Sequence, residues 1–150
     1  MVTIESSPVY LDTSALVKLY LPERESEELE EMMVGRRDLI VSDLAITEMT
    51  SALVRRVRDG DLPAGQARRI YRRLLRDADM GEFRRAELSA DSHREAERVL
   101  LAVGTQVALR AADALHLGLA GRGGARVLVT FDQRMRAAAA AIGSLEVPLV

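Results

Sequence analysis

Short, unbroken apolar runs recur along this chain, separated by longer stretches in which apolar residues return three and four positions apart. Residues 8–11, 39–41 and 127–130 form the unbroken runs, the pattern of strands buried on both faces of a parallel sheet. Asp12-Thr13-Ser14 offers short oxygen-bearing side chains to orphan backbone N–H groups, which predicts a helix to about residue 20 that stops near Pro22. A second helix is predicted over 25–34 on the apolar stripe Leu29, Met32 and Met33, with Gly35 at its end. Ser42-Asp43 caps a long helix in which Leu44, Ile46, Met49, Leu53, Val54 and Val57 keep helical spacing as far as Gly60. Pro63 marks the start of another, running to about residue 78.

The second half continues the alternation. Residues 82–88 read as a strand, Ala90-Asp91-Ser92 as the cap of a helix to Val103, and 109–119 as a strongly apolar helix ending in Gly121-Arg122-Gly123-Gly124. After the strand at 127–130 comes an alanine-rich helix over 132–142, and 145–150 reads as a last edge strand. Strands alternating with helices predict an α/β sandwich with a mostly parallel sheet, built as a single domain over 1–150.

Composition narrows the chemistry. A chain of 150 residues with 48% hydrophobic content is long enough to bury a sizeable core. It contains no cysteine, which removes disulfides, thiolate metal sites and cysteine nucleophiles and fits a cytoplasmic setting. No apolar stretch has the length of a membrane span, and Met1-Val2-Thr3-Ile4-Glu5 lacks a secretory leader pattern. The net charge of -2 conceals a segregation: Lys18 is the only lysine, and arginines crowd between Arg55 and Arg85. Arginine suits forked contacts to phosphate, so Arg68, Arg69, Arg72, Arg73 and Arg76 are candidate contacts to a polyanion; a solvated helix face is the plainer reading of the same run.

Four carboxylates stand at the edges or inside of apolar segments: Asp12, Glu48, Asp113 and Asp132. Asp12 and Asp132 follow strands, and in open α/β sheets ligands bind beyond the carboxyl ends of strands. Each also reads as a helix cap, and Glu48 as a solvated helix charge. Asp113 lies in Ala111-Ala112-Asp113-Ala114-Leu115, where an unpaired buried carboxylate costs several kcal/mol or shifts its pKa. Gathered in one cleft, the four would repel one another and need a cation. Oxygen-only ligation selects Mg²⁺, with Mn²⁺ as a substitute. His116, three residues beyond Asp113, reads as a packed histidine, and His93 as part of a solvated helix start. Neither forms a nucleophilic triad, and no phosphate-cradling glycine loop with its lysine is present.

Tyr10-Leu11-Asp12-Thr13-Ser14-Ala15-Leu16-Val17-Lys18 resembles the opening motif of PIN-domain ribonucleases. Ser42-Asp43-Leu44-Ala45-Ile46-Thr47-Glu48 resembles their second motif, although many relatives carry a different run before the glutamate. Leu109-Arg110-Ala111-Ala112-Asp113-Ala114-Leu115-His116-Leu117 is similar to the third, and Val129-Thr130-Phe131-Asp132-Gln133-Arg134-Met135 to the last. The compact length is most similar to VapC-type toxins of toxin–antitoxin pairs. The resemblance implies a PIN-like three-layer α/β/α sandwich and a Mg²⁺-dependent endoribonuclease that hydrolyses RNA with a metal-activated water. It also implies a homodimer held inactive by a cognate antitoxin. It assigns Asp12, Glu48, Asp113 and Asp132 to the acidic, metal-holding site and Thr13, Ser14 and Thr130 to it as supporting hydroxyls.

Two other classes share part of the pattern. A Mg²⁺-dependent phosphatase or phosphoacceptor domain also places aspartates past parallel strands, but position 14 is Ser where such a phosphatase wants a second aspartate, and no lysine follows a late strand. A non-catalytic module binding RNA or protein would use the acidic pocket and the arginine helix for docking alone. All four carboxylates are present, which favours an enzyme.

Overall fold

In the computed structural model, which describes residues 7–150, the apolar runs become the strands of one sheet. In chain order the elements are β1 (Val9–Leu11), α1 (Thr13–Tyr20), α2 (Ser26–Met33), β2 (Leu39–Ser42), α3 (Asp43–Arg58), α4 (Ala64–Asp79), β3 (Arg84–Ala86), α5 (Ala90–Val103), α6 (Ala111–Arg122), β4 (Val127–Val129) and α7 (Gln133–Ile142). The sheet has four strands in the order β3-β2-β1-β4, and every pairing is parallel. Tyr10 sits opposite Ile40 on one side and Leu128 on the other. The Met1–Glu5 opening lies outside the described residues.

Alternate strand residues point to opposite faces. Val9, Leu11, Val41, Val127 and Val129 pack against Leu16, Leu29, Met49, Leu53 and Leu74 of α1–α4. Tyr10, Ile40 and Leu128 pack against Leu117, Leu119, Ala120, Met135 and Ala138 of α6 and α7. Each fully buried leucine contributes roughly 1.5–3 kcal/mol relative to exposure, so the two apolar layers clamp the sheet and produce the three-layer sandwich. α5 covers α6 at close range, and Gly118 makes this possible: a Cβ there would stand 3.0 Å from the Ala96 backbone nitrogen. No described helix is long and apolar enough to cross a membrane.

The chain steps outward from β1 to β2 to β3, then returns to the other side of β1 for β4. The helix after β1 packs on one face of the sheet and the helix after β4 on the other. The carboxyl ends of β1 and β4 therefore flank the crevice where an open parallel sheet binds ligands.

The strand expected at 82–88 shortens to Arg84–Ala86, and three other differences from the predicted boundaries have a local cause. The edge strand expected at 145–150 is reduced to one parallel bridge between Val127 and Glu146. Glu146 exchanges backbone bonds with Leu128 (2.8 Å) and Arg126 (2.9 Å), but Pro148 has no N–H to extend the ladder. The helix expected from residue 109 begins at Ala111 because Arg110 is extended (φ -86, ψ 162), and it runs through Gly121 to Arg122. In α5 the cap is Ser89, whose side chain accepts from Ser92 N while Ser92 reciprocates.

Candidate active site

Asp12 directly follows β1 and caps α1, so its buried side chain is set by both elements. Its Oδ1 accepts the Ser14 hydroxyl at 2.6 Å and the Ala15 N–H at 3.0 Å, and its Oδ2 accepts the Thr130 hydroxyl. Thr130 Oγ1 in turn accepts the Asp132 N–H at 3.0 Å, and Ser14 Oγ accepts the Phe131 N–H at 2.9 Å. The loops after β1 and β4 are thus laced together by side chains from each. Burial pushes the Asp12 carboxyl above its ordinary range, against the opposing effect of the Ser14, Thr130 and Ala15 donors.

The other carboxylates reach the crevice from helix starts. Asp132 caps α7, accepting the Arg134 N–H at 2.8 Å. Asp113 lies buried in the first turn of α6 and accepts the Arg110 N–H at 2.9 Å through Oδ2. Arg134 stands between these two, with Nη2 3.6 Å from Asp132 Oδ2 and Nε 3.9 Å from Asp113 Oδ2. Glu48, on α3, is partly exposed; its Oε1 accepts the Thr13 hydroxyl at 2.8 Å and lies 2.5 Å from His116 Nε2. The His116 bond, followed by that of Thr13, holds the Glu48 carboxyl below its ordinary range, while partial burial opposes both.

Asp12, Glu48, Asp113 and Asp132 line one cavity of ≈ 450 Å³, together with Thr13, Ser14 and His116. Thr130 lies behind the cavity wall and acts on it through Asp12. All seven predicted site residues therefore belong to one constellation. The five arginines of α4 do not line this cavity. Arg73 instead lies over the Tyr20 ring (5.1 Å) and 3.8 Å from Asp77. The basic residues at the cavity mouth are Lys18, Arg55 and Arg56. Lys18 is held by Glu23 (3.4 Å) and Glu25 (3.2 Å), and Arg56 pairs with Glu23, whereas Arg55 is exposed. A signal for Arg55 and Arg56 exists in the sequence: they follow Glu48 by seven and eight residues and so share its helix face.

The donor set is all oxygen and anionic, the chemistry of a hard divalent ion. Among the described residues no three acidic or histidine side chains cluster tightly enough to share an ion as they stand. Glu48 is turned to Thr13 and His116, and Arg134 faces Asp113 and Asp132. Mg²⁺ keeps several waters and takes only one or two carboxylates directly, so a loosely spaced acidic cavity of this size fits it.

The family model for the PIN domain matches residues 9–141. Ribonuclease VapC46 of Mycobacterium tuberculosis (strain H37Rv) is 36% identical over 140 residues, covering 90% of this chain and 92% of that protein. Ribonuclease VapC35 of the same species is 34% identical over 139 residues, covering 89% and 91%. Among solved structures, the fold is shared with Mycobacterium tuberculosis VapC20, described as a sarcin–ricin loop cleaving toxin. The TM-score is 0.68 at 17% identity, over 87% of this chain and 94% of that one. A domain model spanning nearly the whole sequence and relatives alike from end to end place this chain in the PIN-domain family, beside the VapC ribonucleases.

Proposed function

We propose that this protein is a Mg²⁺-dependent endoribonuclease of the VapC type, the toxin of a toxin–antitoxin pair. The observation that carries the reading is the convergence of Asp12, Glu48, Asp113 and Asp132 on one cavity at the carboxyl ends of β1 and β4. The named ribonuclease relatives supply the substrate class.

Carboxylates alone repel an RNA phosphate. A bound Mg²⁺ supplies the missing positive charge and acidifies water near neutral pH. Asp12, Asp113 and Asp132 would hold the ion, directly or through water, with Glu48 completing the set. Ser14 and Thr130 keep the Asp12 carboxylate aimed by donating to its two oxygens. Thr13 does the same for Glu48. Arg55 at the mouth, and the α4 arginines further out, would contact flanking phosphates. In-line attack of water on phosphorus leaves a 5′-phosphate and a 3′-hydroxyl.

An antitoxin and a second copy of the chain belong to the same reading. A further cavity of ≈ 570 Å³, lined by Leu16, Leu19, Met33, Val34 and Arg73, offers an apolar floor to a partner.

The test is end-mapping of total RNA incubated with the protein and Mg²⁺, with EDTA as control. Cuts bearing 5′-phosphates, absent with EDTA and absent in Asp113→Ala, are expected. A 2′,3′-cyclic phosphate product would reject the route. Phosphate released from a small ester with RNA untouched would move the protein to the phosphatases.

A further inference from the structure

Spacing makes Tyr10 a strand residue and His116 a packed histidine; folding joins them. Tyr10 is fully buried and shares the α6–α7 face of the sheet with Ile40 and Leu128. Phenylalanine at 10 and leucine at 116 would complete that layer with no polar atom to satisfy. Instead the Tyr10 hydroxyl donates to Ser42 Oγ at 2.8 Å and meets His116 Nδ1 at 2.7 Å, the two rings edge to face at 5.9 Å. On its other side His116 Nε2 lies 2.5 Å from Glu48 Oε1. Ser42 Oγ also accepts the Ala45 N–H at 3.0 Å as the cap of α3. The bonds thus leave α3 at its cap, cross β1 and α6, and return to α3 at Glu48.

Glu48 is only partly buried, and a free glutamate of three torsions would sample several rotamers. Two contacts on one oxygen, from the Thr13 hydroxyl and His116 Nε2, fix its plane. The second oxygen, Oε2, takes no hydrogen bond from the described residues and is left for the cavity. We infer that Tyr10 and His116 are positioning residues that hold the Glu48 carboxylate in one orientation at the acidic cavity. What Glu48 then does rests on the nuclease reading; how it is held does not.

The experiment compares the wild-type protein with Tyr10→Phe, His116→Phe, His116→Gln and Glu48→Gln. The readouts are melting temperature, RNA cleavage kinetics with Mg²⁺ and crystal structures. Folded Tyr10→Phe and His116→Phe should keep KM within about twofold and lose kcat by roughly 10- to 100-fold. His116→Gln, whose amide can donate near the place of Nε2, should recover part of the loss. Tyr10→Phe should cost nothing further in the Glu48→Gln background. Unchanged kcat in the folded variants, or a full-sized Tyr10→Phe loss without Glu48, overturns the inference. Should His116→Phe not fold, Tyr10→Phe and His116→Gln carry the test. If the wild-type protein cuts no RNA, the nuclease reading falls, and the crystal structures still decide: a displaced Glu48 side chain in the variants supports the relay, and an unmoved one overturns it.

Discussion

Arg134 on α7 faces Asp113 on α6, its Nε 3.9 Å from Oδ2, and reaches Asp132 with its other end. A single guanidinium in that place offsets part of the charge of two of the four carboxylates, and a divalent ion bound by them competes with it. With Arg134 half-exposed and the separations this long, each pair is worth about 0.2–1 kcal/mol. Arg134→Ala should therefore tighten Mn²⁺ binding by roughly 2- to 30-fold, read by isothermal titration. Unaltered affinity would place the ion away from Asp113 and Asp132.

Asp12 gives the cavity a pH signature. Its carboxyl is raised by burial, so ionising it costs folding stability. That cost is absent below the unfolded pKa, grows as pH rises, and is complete above the folded pKa. A divalent ion offsets it only where Asp12 is ionised. Mg²⁺ should then raise the melting temperature more at about pH 8 than near the ordinary carboxylate pKa of about 4. At 100 times Kd the gain approaches about 2.7 kcal/mol, several degrees for a chain of this size. The same Mg²⁺ shift at both pH values would detach Asp12 from the ion, and Asp12→Asn should flatten the difference.

Arg55 and Arg72 separate two surfaces for RNA. Arg55 lines the cavity mouth on the Glu48 helix, whereas Arg72 is exposed on α4 outside it. Removing one arginine–phosphate pair lowers the salt slope of binding by about one. Arg55→Glu should weaken binding of a short RNA that fills only the cavity. Arg72→Glu should matter only for longer RNA. Filter binding across a salt series distinguishes them, and an equal effect of both on the short RNA would contradict the assignment.

Gly118 is where α5 and α6 touch. Its missing side chain faces Ala96 N at 3.0 Å and Ser92 O at 3.3 Å, both backbone atoms that cannot swing aside. Gly118→Val should cost about 1–3 kcal/mol through overpacking, beyond any gain in helix propensity. Chemical denaturation measures it. A variant as stable as the wild type would mean that α5 moves freely on α6.

Asp12 and Asp132 are legible in the sequence because each follows directly on an unbroken apolar run, and a strand end meeting a short acceptor is local information. Asp113 is legible because its alanine and leucine neighbours leave it no polar company. Their assembly is not local. The Thr130–Asp12 bond spans 118 positions, and His116 finds Tyr10 and Glu48 across 106 and 68. No spacing rule reaches that far, which is why a packed histidine is the natural reading of His116. The α4 arginines draw the eye by number, yet the cavity takes its arginines from α3, at the helical spacing of Glu48. Residues 145–150 read as a strand from their leucines and valines, and Pro148 together with single-bridge pairing limits them.

The late arrival of β4 beside β1 has a consequence for synthesis. Until the stretch carrying Thr130 and Asp132 emerges and docks, Asp12 has only its local donors Ser14 and Ala15 and the crevice has one wall. The acidic crevice is therefore a late product of folding, complete only once β4 has paired with β1.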